Sequence, residues 1–103
     1  MSKRISKKVS FSPWDPADHL RSEEDIIAYL QACLEEAPDD ATFLAAALGD
    51  VARARGMMQL ARDTGLSREG LYKALSSEGN PSLETVLKVL RALGLRITVT
   101  AAA

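Results

Sequence analysis

The sequence is short of the features that define several large classes of protein. It has a single cysteine, Cys33, so no disulfide can form within the chain. No run approaches the roughly 20 apolar residues of a membrane-spanning helix, and no signal-peptide pattern opens the chain. The 103 residues, 47% hydrophobic and 26% charged, suffice for one domain. We therefore expect a small cytoplasmic domain without membrane contact.

A strong net charge is also missing, since the formal total is −1. That total conceals three segments of alternating sign. Residues 1–10 hold four basic residues and no acid, residues 11–40 hold nine acids against Arg21, and residues 41–103 hold eight bases against five acids. A basic–acidic–basic chain suggests that different segments have different partners.

Hydrophobic periodicity and capping signals predict five helices. In chain order they cover 22–38, 39–56, 57–64, 68–76 and 82–94. Ser22, followed three residues later by Asp25, has the pattern of an N-cap with an acidic first turn, and Gly94 suits the position just after a helix. The inner face of the last helix is expected to carry Leu83, Val86, Leu87 and Leu90.

After Gly94 the period changes to two, and β-branched residues appear over 95–100. This pattern predicts a short C-terminal strand. Residues 1–12 alternate weakly and form an arm, so the strand would pair with the arm or with a second subunit, which is the commoner solution. The predicted fold class is all-α, with an N-terminal arm (1–21), an acidic N-terminal helix (22–38) and a third unit (39–100) that ends in the strand.

Residues 57–76 fit a helix-turn-helix hairpin. Gly65 lies at the turn, where a positive φ is needed and costs glycine nothing. Ala61 is small at the closest approach of the two helices, and Ser67 caps the second helix. The residues expected to face inward are Leu60, Leu66, Leu71 and Ala74. The unit 39–100 is therefore predicted to bind DNA.

In this geometry the outward residues at the start of the second helix face the major groove. Arg68 can donate two hydrogen bonds to guanine, and Glu69 can accept one from cytosine. The predicted base contacts are Ser67, Arg68, Glu69, Tyr72 and Lys73. The predicted phosphate contacts, which set register without reading sequence, are Gln59, Ser76, Ser77 and Asn80.

Residues 41–95 resemble the five-helix, lambda-repressor-like domain of phage repressors of the Xre and Cro type. The likeness is strongest over Gln59-Leu60-Ala61, Gly65-Leu66-Ser67-Arg68-Glu69 and Leu71-Tyr72-Lys73-Ala74-Leu75, followed by Gly79-Asn80-Pro81-Ser82-Leu83-Glu84-Thr85. Over about residues 11–100 the chain further resembles the HigA-type addiction-module antidotes, through Trp14-Asp15, Leu20, Glu24-Asp25-Ile26 and Tyr29-Leu30.

The resemblance implies an antitoxin that represses its own operon as a dimer and neutralises a small basic toxin of the RelE/ParE type (HigB-like). We expect no cofactor and no metal, and the resemblance does not explain the basic residues 1–8. The dimer is expected to form through the C-terminal strand region. An acidic segment suits a basic partner. The candidate toxin contacts are Trp14, Asp15, Asp18, Glu23, Glu24 and Tyr29.

Two alternatives stay open at this point. The chain could be a stand-alone phage or operon repressor, in which the acidic segment packs internally. Separately, Trp14 could lie on the protein's own core or anchor an interface. The second alternative is an enzyme, since His19, Ser22 and Asp25 are close in sequence. Ser22 is already accounted for as a cap, and no oxyanion element accompanies the three residues, so we expect no catalysis.

Overall fold

The computed structural model of the protein describes residues 15–102. A short 3₁₀ helix, Pro16–His19, precedes five α-helices within that range. They are α1 (Glu23–Glu36), α2 (Ala41–Arg55), α3 (Met57–Thr64), α4 (Arg68–Ala74) and α5 (Leu83–Ala92). The all-α prediction is confirmed. Residues 1–14, which include the predicted arm and Trp14, lie outside the described residues.

Side-chain caps start four of the five α-helices. Ser22 and Asp25 form a complete capping box at α1, in which each side chain accepts a hydrogen bond from the other's backbone N–H. Asp40, Ser67 and Ser82 cap α2, α4 and α5 by accepting the backbone N–H three residues ahead. Helix α3 has no side-chain cap and begins directly after Gly56.

Two glycines with positive φ end helices as the sequence predicts. Gly65 ends α3 in the left-handed conformation, with φ of 77°. Gly94 (φ 80°) follows α5, where the N–H of Leu95 donates to the Leu90 carbonyl (2.8 Å) and that of Gly94 to the Arg91 carbonyl (3.0 Å). These two bonds form a Schellman motif, which satisfies carbonyls at the helix end.

One hydrophobic core joins all five helices, and its most deeply buried large side chains are Val51, Leu60, Leu71, Val89 and Leu93. Helix α1 contributes Ile26, Leu30 and Cys33 to the same core. Helix α2 lies between α1 and α3 and also packs on the 3₁₀ helix, while α3 packs on α4 and α5. The acidic helix therefore shares its apolar face with the rest of the molecule.

Gly49 marks the closest approach between α2 and the end of α4. A Cβ at this position would lie 2.1 Å from the carbonyl oxygen of Leu75. Only a hydrogen fits there, so α2 holds the chain that leaves α4 against the core. The position of α4 thus depends on a glycine inside another helix.

The predicted strand over 95–100 is wrong. Residues 95–100 adopt no strand, and no strand occurs anywhere in residues 15–102. Leu95 packs against the core, but Ile97 and Val99 are exposed. β-branched residues favour extended backbone, yet a strand exists only when a neighbouring strand takes up its N–H and C=O groups, and the described chain offers none.

The predicted inner face of the last helix is also partly wrong. Val89 is fully buried, and Val86 and Leu90 are half-buried against the core. Leu83 and Leu87 instead point outward, with 69% and 47% of their surface exposed. The apolar residues of α5 cover more than one face, and packing against α3 selects which of them become internal.

Candidate nucleic-acid interface and partner-binding face

Helices α3 and α4 and the three residues between them form the candidate nucleic-acid interface. Leu60 of α3 and Leu71 of α4 are completely buried, and Leu66 of the turn packs partly against the same core. The Thr64 hydroxyl donates to the Leu60 carbonyl (2.8 Å) and accepts the N–H of Leu66 (3.2 Å). These contacts fix the turn, and Leu71 holds the inner side of α4 against the core.

The outer side of α4 carries the residues that the sequence predicts as base contacts. Arg68, Glu69, Tyr72 and Lys73 are all exposed. The Arg68 guanidinium carbon lies 5.9 Å from the centre of the Tyr72 ring, within cation–π range. Ser67 is exposed too, but its hydroxyl already accepts the N–H of Gly70 at 2.9 Å as the helix cap. The four side chains present two cations, one anion and an aromatic ring on one short helix.

The predicted phosphate contacts border α4 on two sides. On α3, exposed Gln59 donates its amide to Asp63 (2.9 Å) and accepts from Arg62 (2.8 Å). After α4, the Ser76 hydroxyl donates to the Lys73 carbonyl (3.0 Å) and accepts the N–H of Glu78. Ser77 and Asn80 are exposed in the following loop. Gln59 and Ser76 thus hold neighbouring groups of their own chain.

The acidic region is the acid-rich segment 11–40, of which the structure describes residues 15–40. Some of its side chains bind within the chain, and others are free at the surface. Asp18, Glu23 and Glu24 are exposed, whereas Tyr29 is half-buried and Asp15 lies at the start of the 3₁₀ helix. Trp14 lies outside the described residues. Of the candidate toxin contacts, Asp15 and Tyr29 are bound to α2 by hydrogen bonds.

Asp50 of α2 is the centre of a polar network that the sequence analysis did not identify. It is the buried charged residue of the described chain, with 5% of its surface exposed. The Tyr29 hydroxyl donates to one Asp50 oxygen, and Arg53 donates to the other at 3.0 Å. Arg53 also donates to Asp15 at 2.9 Å. The network joins the 3₁₀ helix, α1 and α2 through four side chains.

The network shifts the ionisation of its members. Burial, followed by the hydrogen bond to the Asp50 carboxylate, raises the pKa of the Tyr29 hydroxyl. The backbone N–H of Ala17, assisted by the Arg53 guanidinium, lowers the pKa of Asp15. Partial burial disfavours the charged form of Arg53, but Asp50 and Asp15 outweigh it and raise the pKa of that guanidinium. At neutral pH Asp15 and Arg53 are thus charged, and the Tyr29 hydroxyl is neutral.

A signal for this network was present in the sequence. Asp50 interrupts the apolar run Ala47, Leu48, Val51 and Ala52 on the buried side of α2, and Arg53 follows three residues later. A carboxylate on a buried helix face is costly unless it is paired, so it predicts partners nearby. Which distant residues join the network depends on packing: Tyr29, the second partner of Asp50, is 21 residues away from it, and Asp15, the second partner of Arg53, is 38 residues away from Arg53.

Three further findings concern metal-binding groups, membrane-spanning helices and the residues weighed as a catalytic set. The region from Asp15 to Ala102 contains no group of three or more histidine, cysteine, aspartate or glutamate side chains placed to hold a metal ion. Within the same region no helix has the length and hydropathy that crossing a bilayer requires. Ser22 and Asp25, two of the three residues weighed as a catalytic set, bond to each other as the cap of α1.

Comparison with known proteins gives a match over nearly the whole chain. Residues 10–101 match the model of a family described as probable addiction module antidote protein. A Haemophilus influenzae protein, described as an uncharacterized protein, is 56% identical over 86 residues, which cover 84% of this chain and 87% of that protein. No solved structure matches the chain.

Proposed function

This chain belongs to the family of probable addiction module antidote proteins, and we propose that it is the antitoxin of a type II toxin–antitoxin module. In this proposal it neutralises a small basic toxin of the RelE/ParE type by direct contact. It also binds operator DNA as a dimer and represses its own operon. The observation that carries the proposal is the family match, which spans both the acidic helix and α4.

The DNA-binding half of the proposal is supported by α4 and its setting. A helix-turn-helix protein needs a short helix that is fixed on its inner side and free on its outer side. Helix α4 meets both conditions, since Leu71 anchors it while Arg68, Tyr72 and Lys73 are exposed. Arg68 is suited to guanine and Lys73 to a base or a phosphate. We propose α4 as the helix that enters the major groove.

The toxin-binding half is supported by the exposed side of α1. Its acids, with Glu23 and Glu24 in the first turn and Glu35 and Glu36 in the last, are all at the surface. Between these two pairs of acids, Ile27 and Leu34 lie seven residues apart, which is about two turns, and both side chains are exposed. An apolar strip bordered by carboxylates suits a basic protein surface. We propose this face, with Asp18, as the toxin contact.

Binding and not catalysis is the proposed activity, and no cofactor takes part in it. The proposed location is the cytoplasm, at the operator DNA on the nucleoid. Antitoxin and repressor would then be one protein with two separate surfaces, α1 for the toxin and α4 for DNA.

Two measurements on the full-length protein test the proposal. Co-expression with the product of the adjacent gene should yield a stable complex, and the absence of any complex would remove the antitoxin half. Binding to the DNA upstream of the gene should weaken steeply between about 50 and 200 mM salt, because phosphate contacts release counterions. A flat salt response would remove the DNA-binding half.

A stand-alone repressor without a toxin is the second candidate, and the polar network favours it. Asp15 and Tyr29, both candidate toxin contacts, bind Arg53 and Asp50 of the same chain. In that case the acidic region serves internal packing only. The co-expression experiment separates the two candidates, because only the antitoxin forms a complex with a neighbouring gene product.

A further inference from the structure

The Arg68 guanidinium of α4 is held by an aromatic ring and not by an oxygen. By contrast, Arg53 and Arg62 donate N–H groups to oxygens of their own chain at 2.8–3.0 Å. Within residues 15–102 the Arg68 guanidinium has no hydrogen bond or ion pair, and it lies over the Tyr72 ring, 5.9 Å from the ring centre. A ring attracts the cation through its π electrons and occupies none of its donors. All five N–H donors of Arg68 are therefore available to a ligand.

The geometry of α4 brings the two side chains together. Arg68 is the first residue of the helix and Tyr72 lies four residues later, a spacing that places both on the same face. Side chains of a helix lean toward its N-terminus, so the Tyr72 ring is directed to the turn that carries Arg68. In a helix-turn-helix complex the outward residues of this turn contact the base edges. The ring thus contacts Arg68 at the end of α4 that we propose faces the bases.

The Tyr72 ring is attached to a firmly held stretch of backbone. Leu71 is completely buried and Leu75 is 4% exposed, so one side of α4 is anchored in the core while Tyr72 remains exposed. A tyrosine side chain has only two χ angles, whereas the longer arginine side chain loses more conformational entropy when it binds a ligand. A short, stiff side chain therefore limits the freedom of a long, flexible one before DNA is present.

The other outward side chains of α4 do not supply this contact. Glu69 follows Arg68 directly, and neighbouring residues do not face each other on a helix. A carboxylate paired with Arg68 would also occupy N–H groups that guanine needs. Lys73 carries the same charge as Arg68. The Tyr72 hydroxyl has no hydrogen bond within residues 15–102, so the ring alone accounts for the contact.

We propose that Tyr72 is a positioning residue, whose ring orders the Arg68 guanidinium so that its N–H groups meet O6 and N7 of one guanine of the operator. The sequence predicts Tyr72 as a base contact. In this proposal it acts through Arg68 instead, and it sets how strongly guanine is preferred at that position. The inference rests on the proposed DNA-binding function and assigns a specificity-determining role within that site.

The contact itself is testable in the free full-length protein by NMR. The ring current of Tyr72 should shift the signals of the Arg68 side-chain protons upfield. The shift should persist in Tyr72→Phe, which keeps the ring, and vanish in Tyr72→Leu, which keeps only apolar bulk. Thermal unfolding of both variants checks that the fold is intact, as expected for an exposed position. The absence of any shift in the wild-type protein would overturn the preformed contact.

The consequence for recognition is measured on the DNA upstream of the gene by fluorescence anisotropy. Tyr72→Leu should weaken binding of the full-length protein about 3–5-fold, the size of an exposed cation–π contact. Tyr72→Phe should stay within about twofold of the wild-type affinity, because the ring remains. An unchanged affinity in Tyr72→Leu overturns the proposal. An equal loss in the two variants also overturns it, since the hydroxyl would then be responsible.

A double-mutant cycle separates positioning from direct contact with DNA. Tyr72→Leu should reduce the preference for guanine at the same base position that Arg68→Ala relaxes, and it should have almost no further effect once Arg68→Ala is present. Lys73→Ala is the matched control, because Lys73 is an exposed neighbour on α4. Its effect should be the same with and without Arg68.

The outcomes of the cycle distinguish this inference from the proposed function. If Tyr72→Leu weakens binding equally with and without Arg68, then Tyr72 contacts DNA by itself, which overturns the positioning role and leaves DNA binding in place. If the wild-type protein does not bind the upstream DNA at all, both are overturned.

Discussion

The acidic region and the α3–α4 hairpin use their polar side chains in different ways. In the acidic region Asp15 and Tyr29 turn inward and bind Arg53 and Asp50 of α2. On α4 no side chain that the sequence predicts as a base contact is committed to another helix, since Ser67 only caps α4 and Arg68 lies over Tyr72. The charge of a segment alone therefore does not show whether its side chains form a binding surface or stabilise the fold from within.

The difference follows from where each helix borders the core. Helix α4 has seven residues, of which one is buried and five are exposed, so most of its side chains remain available. Helix α1 packs along α2, which places Tyr29 next to the buried carboxylate of Asp50. The buried carboxylate of Asp50 requires partners. The acidic region supplies one of them, Tyr29, and it also supplies Asp15, the ion-pair partner of Arg53.

The largest effect is expected from removing the centre of the network. Asp50→Ala should lower the free energy of unfolding by about 2–3 kcal/mol, because Tyr29 loses its acceptor and Arg53 its buried partner. We place the value below that of a fully buried ion pair, since the Arg53 side chain is 40% exposed. Urea denaturation measures it. The control is Asp63→Ala on the exposed side of α3, which should change stability by less than about 0.5 kcal/mol; equal losses would refute the supporting role of Asp50.

The second-largest effect is expected in the hairpin, on DNA affinity and not on stability. Arg68→Ala should weaken operator binding by about 1–3 kcal/mol and relax the preference at one base position, if Arg68 reads guanine. The melting temperature should stay the same because the side chain is exposed. Fluorescence anisotropy with operator variants measures the affinity. Arg21→Ala, which removes an exposed arginine from the acidic region, is the control; an equal loss there would show that only overall charge matters.

A smaller effect is expected on toxin association. Glu23→Gln combined with Glu24→Gln should slow association with the toxin a few-fold at low salt, and the difference should shrink as salt screens the charges. DNA affinity should not fall. Stopped-flow association at two ionic strengths provides the measurement. Glu78→Gln, in the loop after α4, removes an acid from the other region, and a similar slowing by this variant would contradict α1 as the docking face.

The smallest effect is the contribution of Asp15. Asp15→Asn should cost less than about 1 kcal/mol at pH 7, because the pair with Arg53 is partly exposed and screened by solvent. Since folding lowers the pKa of Asp15, its carboxylate stabilises the fold above the ordinary value of 3.8, and this contribution is lost as pH falls through the lower folded value. Urea midpoints of the two proteins should converge in acid. A difference that persists there would exclude the charge as its cause.

Local features of this molecule were predictable because their causes are local. Ser22 with Asp25, Gly65 and Gly94 each act on groups within about five residues, and all three end or begin a helix as predicted. The predicted bounds of α3, 57–64, agree with the structure. The apolar sides of α1 and α2 also follow from hydrophobic residues at helical spacing.

Other features could not be read from the order of residues. The alternation over 95–100 resembles a strand, but a strand depends on a partner that the described chain does not supply. Leu83 and Leu87 have the spacing of core residues, and only the packing of α5 on α3 leaves them outside. In both cases the sequence pattern is real, and the outcome is set by a neighbour distant in sequence.

The sequence by itself determined the helical class, most helix ends and the residues that face outward on α4, because these depend on caps, glycine conformations and apolar periodicity. Only the tertiary structure decided which acidic residues are internal and which are free. The pairing of Arg53 with Asp15, 38 residues apart, arises because α2 packs against the 3₁₀ helix. Packing of this kind therefore decides which side chains of the acidic region stabilise the fold. It also decides which surfaces remain exposed for the partners that we propose.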